Sequence, residues 1–415
     1  MNNIETIKLD NGLTIYFYSD KRRHSTFFQH ITLFGGKTKD FIVDGKEYHM
    51  QDGIAHILEH YIVEENASGN FLKLLGEVQM STNASTYYNM TRYYFDAVEN
   101  IEYGIKTMLR GIYSPVFKED KLEKIKKPIL QEIRGRMNNK FYHSNIETLN
   151  NVYSKINVRS IGGSLEDVSN TSLNDVITCF ETFYQPNNQF IVVGGNFDKD
   201  EVLKIIEDTY KELNIKGKDF KVLKPDETDD IVKEKGIVEF PTGEEYTEVS
   251  YKINLSKFSP EERLKLDFYL HYFFDMFFGL SSSLYNELVK DKIITTSLSC
   301  NSFILDDYVL VSIGAYSNNS LELESRIKDT LFKLDSFNEE IFEIEKKDSI
   351  LKIVLRSENL IDTIMPFVDN IVEYNYPYPD TVSDIEKFTY NDFIKMIKSL
   401  DFSHCTVTVI KNKDV

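Results

Sequence analysis

Cysteine is scarce: Cys179, Cys300 and Cys405 stand far apart in 415 residues and form no CxxC pair. An odd, scattered set argues against a disulfide framework and fits a reducing, cytoplasmic compartment. Long apolar runs are missing too. The nearest approach, FYLHYFFDMFF at 268–278, is interrupted by His271 and Asp275. It falls short of the about 18 residues that mark a membrane span and reads as a buried helix. The first residues, MNNIETIKLDNGLTIYFYSD, have no basic stretch leading into an apolar one and are not Arg-rich and acid-poor, so no signal or transit peptide is expected. Positive charge is in deficit: 48 Lys and Arg face 66 Asp and Glu, a net charge of −18. That sign disfavours nucleic acid as a partner and favours solubility and basic partners. Histidine is also sparse, with eight in the chain, which gives weight to any place where two fall together.

What is present is enough to fill a large core: hydrophobic residues make up 41%, with 29 Phe and 25 Tyr. Disorder is excluded, and the length exceeds what one core usually holds, so two or more domains are expected. TIKLDNGLTIYFYSD alternates and predicts a hairpin turning at Asn11-Gly12. A strand over STFFQHITLFGG and a polar loop through Asp44-Gly45 and Asp52-Gly53 follow. From Ile54 the apolar residues Ile54, Ile57, Leu58, Tyr61 and Ile62 recur at helical spacing. VQMSTNASTYY and TRYYFDAV predict paired strands, and helices follow, including a long one from about Glu119 to Met137. Helix, turn, strand, Gly194-Gly195 and helix come next. NIKGKDFKVLKPDETDDIVKEKG lacks apolar periodicity and reads as a linker. After it the element order restarts. The reading is α+β: two similar α/β-sandwich domains, each a mostly antiparallel sheet covered by helices, over 1–212 and 236–415 with a linker at 213–235.

HILEH occupies positions 56–60 of the first predicted helix. Residues four apart share a helix face, so His56 and His60 can offer two imidazoles to one ion, and Glu59 borders the same face. The order H-x-x-E-H inverts the usual zinc-protease pentapeptide. Zinc needs a third protein ligand and an open position for water; it lowers the pKa of that water, and Glu59 can take the proton. At this histidine content, on the order of 0.01–0.02 chance matches are expected in such a chain, which sets aside a merely decorated surface helix. For the third ligand the residues leave a choice. Glu119, Glu123 and Glu132 all lie on the long helix, and Glu132, flanked by Ile129, Leu130 and Ile133, borders an apolar face.

GIAHILEHYIVEE resembles the active-site segment of the insulinase/pitrilysin family of zinc peptidases, which includes the mitochondrial processing peptidases. GEVQMSTNASTYYNMTRYYFDA is similar to that family's G-A-x-x-N-A-x-T segment. ILQEIRGRM is similar to the helix that supplies the third ligand, and FYQPNNQFIVVGGNFDKDEV and GLSSSLYNELVKDK are similar to later landmarks. The resemblance covers most of the chain, more closely in its first half. It implies Zn2+ as cofactor, Glu132 as the third ligand beside His56 and His60, and Glu59 as catalytic base. It also implies that Asn83 and Ala84 lie on an edge strand to which substrate adds through backbone hydrogen bonds. Two positions depart from the family pattern. An acidic residue usual seven positions before the third ligand is Ile125 here, with Glu123 the nearest substitute. The Arg and Tyr that self-sufficient members carry in the second domain align with Val289 and Thr295, which supply neither a charge-assisted hydrogen bond nor a phenol.

Short family members close their chamber with two chains. A zinc-dependent endopeptidase subunit is therefore expected, acting on unfolded peptides, including precursor or leader peptides, with a homologous partner supplying Arg and Tyr. A self-sufficient homodimer and a non-catalytic, substrate-presenting subunit are the alternatives. The intact pentapeptide weighs against the last.

Overall fold

The computed structural model describes residues 4–156, 160–215, 217–334 and 336–413. Local sequence explains the first elements. LDNGL closes a hairpin between β1 (Ile4–Lys8) and β2 (Thr14–Ser19), with the Leu9 N–H donating to the Leu13 carbonyl and Gly12 at φ +92°, where a side chain would be strained. After β3 (Thr26–Thr32), the stretch expected to be a polar loop forms a second hairpin, β4 (Asp40–Val43) with β5 (Lys46–His49). Its turn is Asp44-Gly45, with φ +52° and +73°, the two left-handed positions that favour an Asp-Gly pair.

The helix α1 (Ile54–Glu64) and the short α2 (Phe71–Glu77) precede the expected strand pair, β6 (Ser81–Thr86) with β7 (Thr91–Ala97). Then come α3 (Ile101–Ile112), α4 (Glu119–Met137), α5 (Lys140–Val152), α6 (Leu165–Asn170) and α7 (Leu173–Phe183). The last two start at Ser164 and Ser172, each closing a reciprocal capping box with an Asp, which satisfies end-of-helix donors. β8 (Gln189–Gly195) and α8 (Lys199–Leu213) follow, then β9 (Phe220–Val222). β9 lies inside the stretch expected to be a linker; it pairs with β4, and Phe220 sits edge-on to Phe183 at 5.1 Å. The remaining elements are β10 (Lys235–Phe240), β11 (Tyr246–Asn254), α9 (Pro260–Phe278), α10 (Ser283–Lys290), β12 (Ser299–Leu305), β13 (Tyr308–Tyr316), α11 (Ser320–Lys333), α12 (Glu339–Arg356), α13 (Leu360–Tyr374), α14 (Val382–Glu386), α15 (Tyr390–Lys398) and β14 (Cys405–Asn412). The aromatic run at 268–278 is the buried second half of α9. Among the described residues no helix is long and apolar enough to cross a membrane.

Two compact units result, and they interleave in sequence. One comprises Met1–Arg136, Val158–Lys224 and Leu360–Val368; the other comprises Met137–Asn157, Pro225–Asn359 and Asp369–Val415. The division expected at 212 and 236 is linear, whereas α5 packs with the second unit and the start of α13 with the first. The first unit is built on a six-stranded sheet, β1-β2-β8-β3-β7-β6, and the second on a five-stranded sheet, β10-β14-β11-β13-β12. All pairs are antiparallel except β2–β8 and β10–β14. In each unit one sheet face carries the main core. In the first, Leu58, Ile62, Phe95, Ile105, Ile129 and Val193 meet there; in the second, Val249, Tyr251 and Ile253 meet α9. The opposite face takes a single helix. In the first unit Phe367 of α13 lies edge-on to Tyr16 at 5.5 Å. Gly194 is bare because a side chain there would collide with Ile364. In the second unit the Thr148 hydroxyl of α5 meets that of Thr408 at 2.7 Å.

Two buried glutamates on that polar side of the second sheet are driven in opposite directions. Burial alone would raise the Glu227 pKa. The Lys252 ammonium at 2.7 Å and the N–H groups of Ile156, Ser154 and Lys155 at 2.8, 3.1 and 2.6 Å more than offset it and hold the carboxyl down at about 2. Glu248 has no cation beside it among the described residues. Burial raises its pKa, opposed only by the Ser250 and Thr148 hydroxyls, each at 3.4 Å.

Glu227 therefore stabilises the fold above its unfolded pKa of about 4.3, and that contribution is lost as pH falls towards about 2. For Glu248 the stabilised form is the protonated one, and stability is lost as pH rises past the unfolded value. Lys252→Met, which leaves Glu227 buried without its cation, is expected to cost about 3–5 kcal/mol in urea unfolding at pH 7. Glu248→Gln is expected to raise the melting temperature relative to the parent chain at pH 7 and to lose that advantage at pH 4.

Candidate metal centre

The site is assembled at the start of α1. Gly53 caps this helix with φ +84°, and the loop ending at Gly162-Gly163 closes on it. A Cβ on Gly53 would strike the Gly162 carbonyl, and one on Gly163 (φ +72°) would strike the Asp52 carbonyl. Three small residues thus let the loop seat directly against the helix that carries the histidines. His56 and His60 follow one turn apart, their ring centroids 4.7 Å apart and nearly perpendicular at 88°. α4 brings the carboxylate. Pro128 removes one i→i−4 hydrogen bond a turn before Glu132. Glu132 Oε2 lies 3.8 Å from His56 Nε2, and Oε1 lies 3.9 Å from His60 Nε2. One ligand atom from each of the three falls within 4.8 Å of the others.

These separations are too long for hydrogen bonds. Tetrahedral zinc with ligand bonds of about 2.0–2.2 Å sets neighbouring donors about 3.4 Å apart, so the carboxylate needs to approach each imidazole by only a few tenths of an ångström. Protonation does not account for the arrangement. Burial drives the His56 pKa down to about 3, helped by the charges of His60 and Arg136, so its imidazole is a neutral donor. His56 Nδ1 is buried and has no hydrogen-bond partner among the described residues. His60 Nδ1 faces Glu64 Oε1 at 3.4 Å, the kind of outer carboxylate that orients a ligating imidazole. Two imidazoles and a carboxylate fit a zinc ion by donor type and number.

Glu59 is 8% exposed and accepts a 2.7 Å hydrogen bond at Oε2 from the Thr86 hydroxyl. Burial raises its pKa, Thr86 and His60 oppose the rise, and Glu132 adds to it. Beneath it the buried hydroxyls of Tyr93 and Tyr184 meet at 2.9 Å. Thr86 terminates β6, the edge strand of the first sheet. Thr86 is turned towards α1 and Ala84 packs on the core, so the alternating Asn83 and Ser85 project on the other side. Asn83 is exposed, and its side-chain oxygen accepts from the Ala84 N–H at 2.9 Å. An edge-strand amide is thereby capped by a side chain.

Of the residues singled out from sequence, His56, His60 and Glu132 converge, Glu59 stands beside them, and Asn83 and Ala84 lie on the edge strand that adjoins Glu59. Ile125 is fully buried in the core. Glu123 does not replace the missing acid: it is bonded to Lys126 at 2.7 Å and largely exposed. Four contributing residues were not identified in advance. Thr86 is the last letter of the N-A-x-T segment, and its role could have been read there. Glu64 stands four residues after His60. Gly162 and Gly163 adjoin the site through folding alone and leave no local signal. In the second unit Val289 is 46% exposed and the Thr295 hydroxyl bonds to Glu244 at 3.1 Å.

Residues 45–157 match the family described as Insulinase (Peptidase family M16), and residues 170–348 match Peptidase M16 inactive domain. The Bacillus subtilis protein named uncharacterized zinc protease YmfH is 25% identical over 402 residues, 94% of this chain and 92% of its own. Zinc protease PqqE of Helicobacter pylori is 25% identical over 302 residues, 69% of this chain and 65% of its own. A crystal structure from Alicyclobacillus acidocaldarius, described as an M16-like peptidase, shares the fold with a TM-score of 0.89 at 23% identity, over 99% of this chain and 98% of its own.

His56→Ala, His60→Ala and Glu132→Ala are each expected to weaken zinc binding by more than the about 10–100-fold typical of losing an outer-shell partner, measured by competition with a chromogenic chelator. Because Glu132 is 41% exposed, metal-free Glu132→Ala is expected to melt at the same temperature as the metal-free parent.

Proposed function

The chain belongs to the M16 insulinase/pitrilysin family, and from that premise we propose that it is a zinc-dependent endopeptidase acting on unfolded peptides, as the zinc-bearing subunit of a two-chain chamber. The observation that carries the reading is the convergence of two imidazoles and a carboxylate within 4.8 Å, with a buried glutamate next to them. His56, His60 and Glu132 would hold the ion. Bound there, zinc supplies a Lewis acid that polarises a peptide carbonyl and acidifies a water molecule. Glu59, oriented through Oε2 by Thr86, takes the proton of that water and returns it to the leaving amine.

Peptide placement is the work of β6. Among the described residues its outer edge has no strand partner, and an extended peptide added there would pair with the backbone around Ala84 beside Glu59. Asn83 covers the Ala84 amide in the free chain and would yield it to the peptide. Precursor or leader peptides suit such a site, because only an unfolded segment offers a free strand. The need for a second chain is supported by Val289 and Thr295, which stand where self-sufficient members carry Arg and Tyr. The match of residues 170–348 to the domain described as inactive agrees with a second unit in which no metal-holding group occurs among the described residues. The three free cysteines support a reducing, cytoplasmic setting.

Glu59→Gln is expected to keep its zinc and lose about 10²–10⁴-fold in cleavage of unstructured peptides, followed by mass spectrometry. Undiminished cleavage would remove Glu59 from the mechanism. Cleavage that requires a homologous second chain supports the two-chain reading, whereas full activity of the purified chain alone would replace it with a homodimer.

A further inference from the structure

One charged group beside the triad is not absorbed by this account. Arg136 follows Glu132 by one turn of α4 and so lies on the same helix face. Its Nη2 is 3.7 Å from Glu132 Oε2, the same oxygen that faces His56. Its side chain is 44% exposed. That ion-pair contact is beyond hydrogen-bond distance, and among the described residues the guanidinium makes no hydrogen bond. It is nonetheless held in place. Nη1 lies over Gly162, where a Cβ would come within 2.8 Å, and the same glycine borders His56 Nδ1.

The arrangement is unbalanced in a specific way. An exposed pair at 3.7 Å contributes little to stability, so folding does not explain why a guanidinium is wedged here. Once Glu132 is committed as a metal ligand, its charge no longer belongs to Arg136. With Nη1 over Gly162, the Nη2 side of the guanidinium fork then lies free on the most open side of the triad, since Glu132 is 41% exposed against 12% for His56 and 19% for His60. That fork matches a planar carboxylate.

We propose that Arg136 is a specificity residue whose guanidinium binds a carboxylate of the peptide next to the scissile bond. The inference rests on the peptidase reading above and names a preference within it. The carboxylate has two chemical sources, an acidic side chain flanking the bond or the free C-terminus of a short peptide. The net charge of −18 opposes this preference only at long range. Over more than about 8–10 Å it is screened by salt, so the site selects one well-placed carboxylate in an otherwise neutral or basic peptide.

The test uses the zinc-loaded full chain carrying Glu59→Gln, so that peptides bind without being cleaved. Fluorescence anisotropy then compares blocked peptides in which one Glu is moved along a neutral sequence with their Gln counterparts, and C-terminal acids with amides. At one position Glu is expected to bind about tenfold more tightly than Gln, the size of one charge-assisted hydrogen bond. Arg136→Gln is expected to erase the difference, and Arg136→Lys to restore part of it, with zinc content equal in all variants. A preference for the free acid over the amide assigns the carboxylate to the C-terminus; a preference confined to the side chain assigns it to a flanking residue. Equal affinities throughout, or a preference that survives Arg136→Gln, would overturn the proposal. Loss of zinc in Arg136→Gln would overturn it as well, by making Arg136 a positioning residue for Glu132. Failure of every peptide to bind, whatever its charge and with a homologous second chain present as well as absent, would instead defeat the peptidase reading.

Discussion

Three donor atoms that point at one another without a hydrogen bond between them are the constraint on which this structure turns. Left to themselves, two imidazoles and a carboxylate at 3.8–3.9 Å would rearrange or take up a proton. Burial holds the His56 pKa down at about 3, and the loop at Gly162 borders its ring. The surroundings follow from this requirement. Gly53 must be small so that the loop can close on the first turn of α1. α4 must run past the same face to deliver Glu132. Thr86 must end the edge strand where its hydroxyl reaches Glu59. Helix, loop and strand edge are each fixed by one or two residues, and the carboxylate is the member with most freedom to adjust.

Much of this was legible in the chain because it depends on local periodicity. The i, i+4 spacing of His56 and His60 is a property of any helix, and the alternation of the Asn83–Thr86 stretch marks a strand whatever lies beside it. The β4–β5 hairpin was also local. Its Asp44-Gly45 turn was visible, and the charged residues of its short strands concealed the alternation. What could not be read was long-range. Lys- and Asp-rich composition suggested a free linker, yet Phe220 is drawn onto Phe183 and Glu227 onto Lys252, contacts between residues remote in sequence. For the same reason the second unit's claim on α5 was hidden: the polar Thr148 and Asn151 face looks solvated until the hydroxyl-rich face of the second sheet covers it. Glu123 and Glu64 show the limit most plainly. Both are acids one or two turns from a ligand, and only the path of the side chain decides that one reaches His60 and the other turns to Lys126.

The second unit tests what the frame alone provides. Its order α9, α10, β12, β13, α11, α12 repeats α1, α2, β6, β7, α3, α4, and β12 is again an edge strand. At the corresponding place a polar group persists with different chemistry. Asp267 of α9 accepts from Ser302 of β12, as Glu59 accepts from Thr86 of β6. Further along α9, Asp275 meets Glu345 of α12, and burial together with that neighbouring carboxylate pushes Glu345 up to about 7. Two like charges on facing helices are reconciled by sharing a proton, which needs only the two groups at hydrogen-bond distance. Two imidazoles and a carboxylate instead offer three metal-ligand atoms within 4.8 Å of one another. The same pair of helices thus carries a carboxylate junction in one unit and a candidate cation site in the other. The difference is set by whether the helix offers two imidazoles one turn apart, as α1 does at His56 and His60, or a carboxylate facing one on the neighbouring helix, as α9 does at Asp275, so the frame positions the candidate site while the choice of donors determines its chemistry.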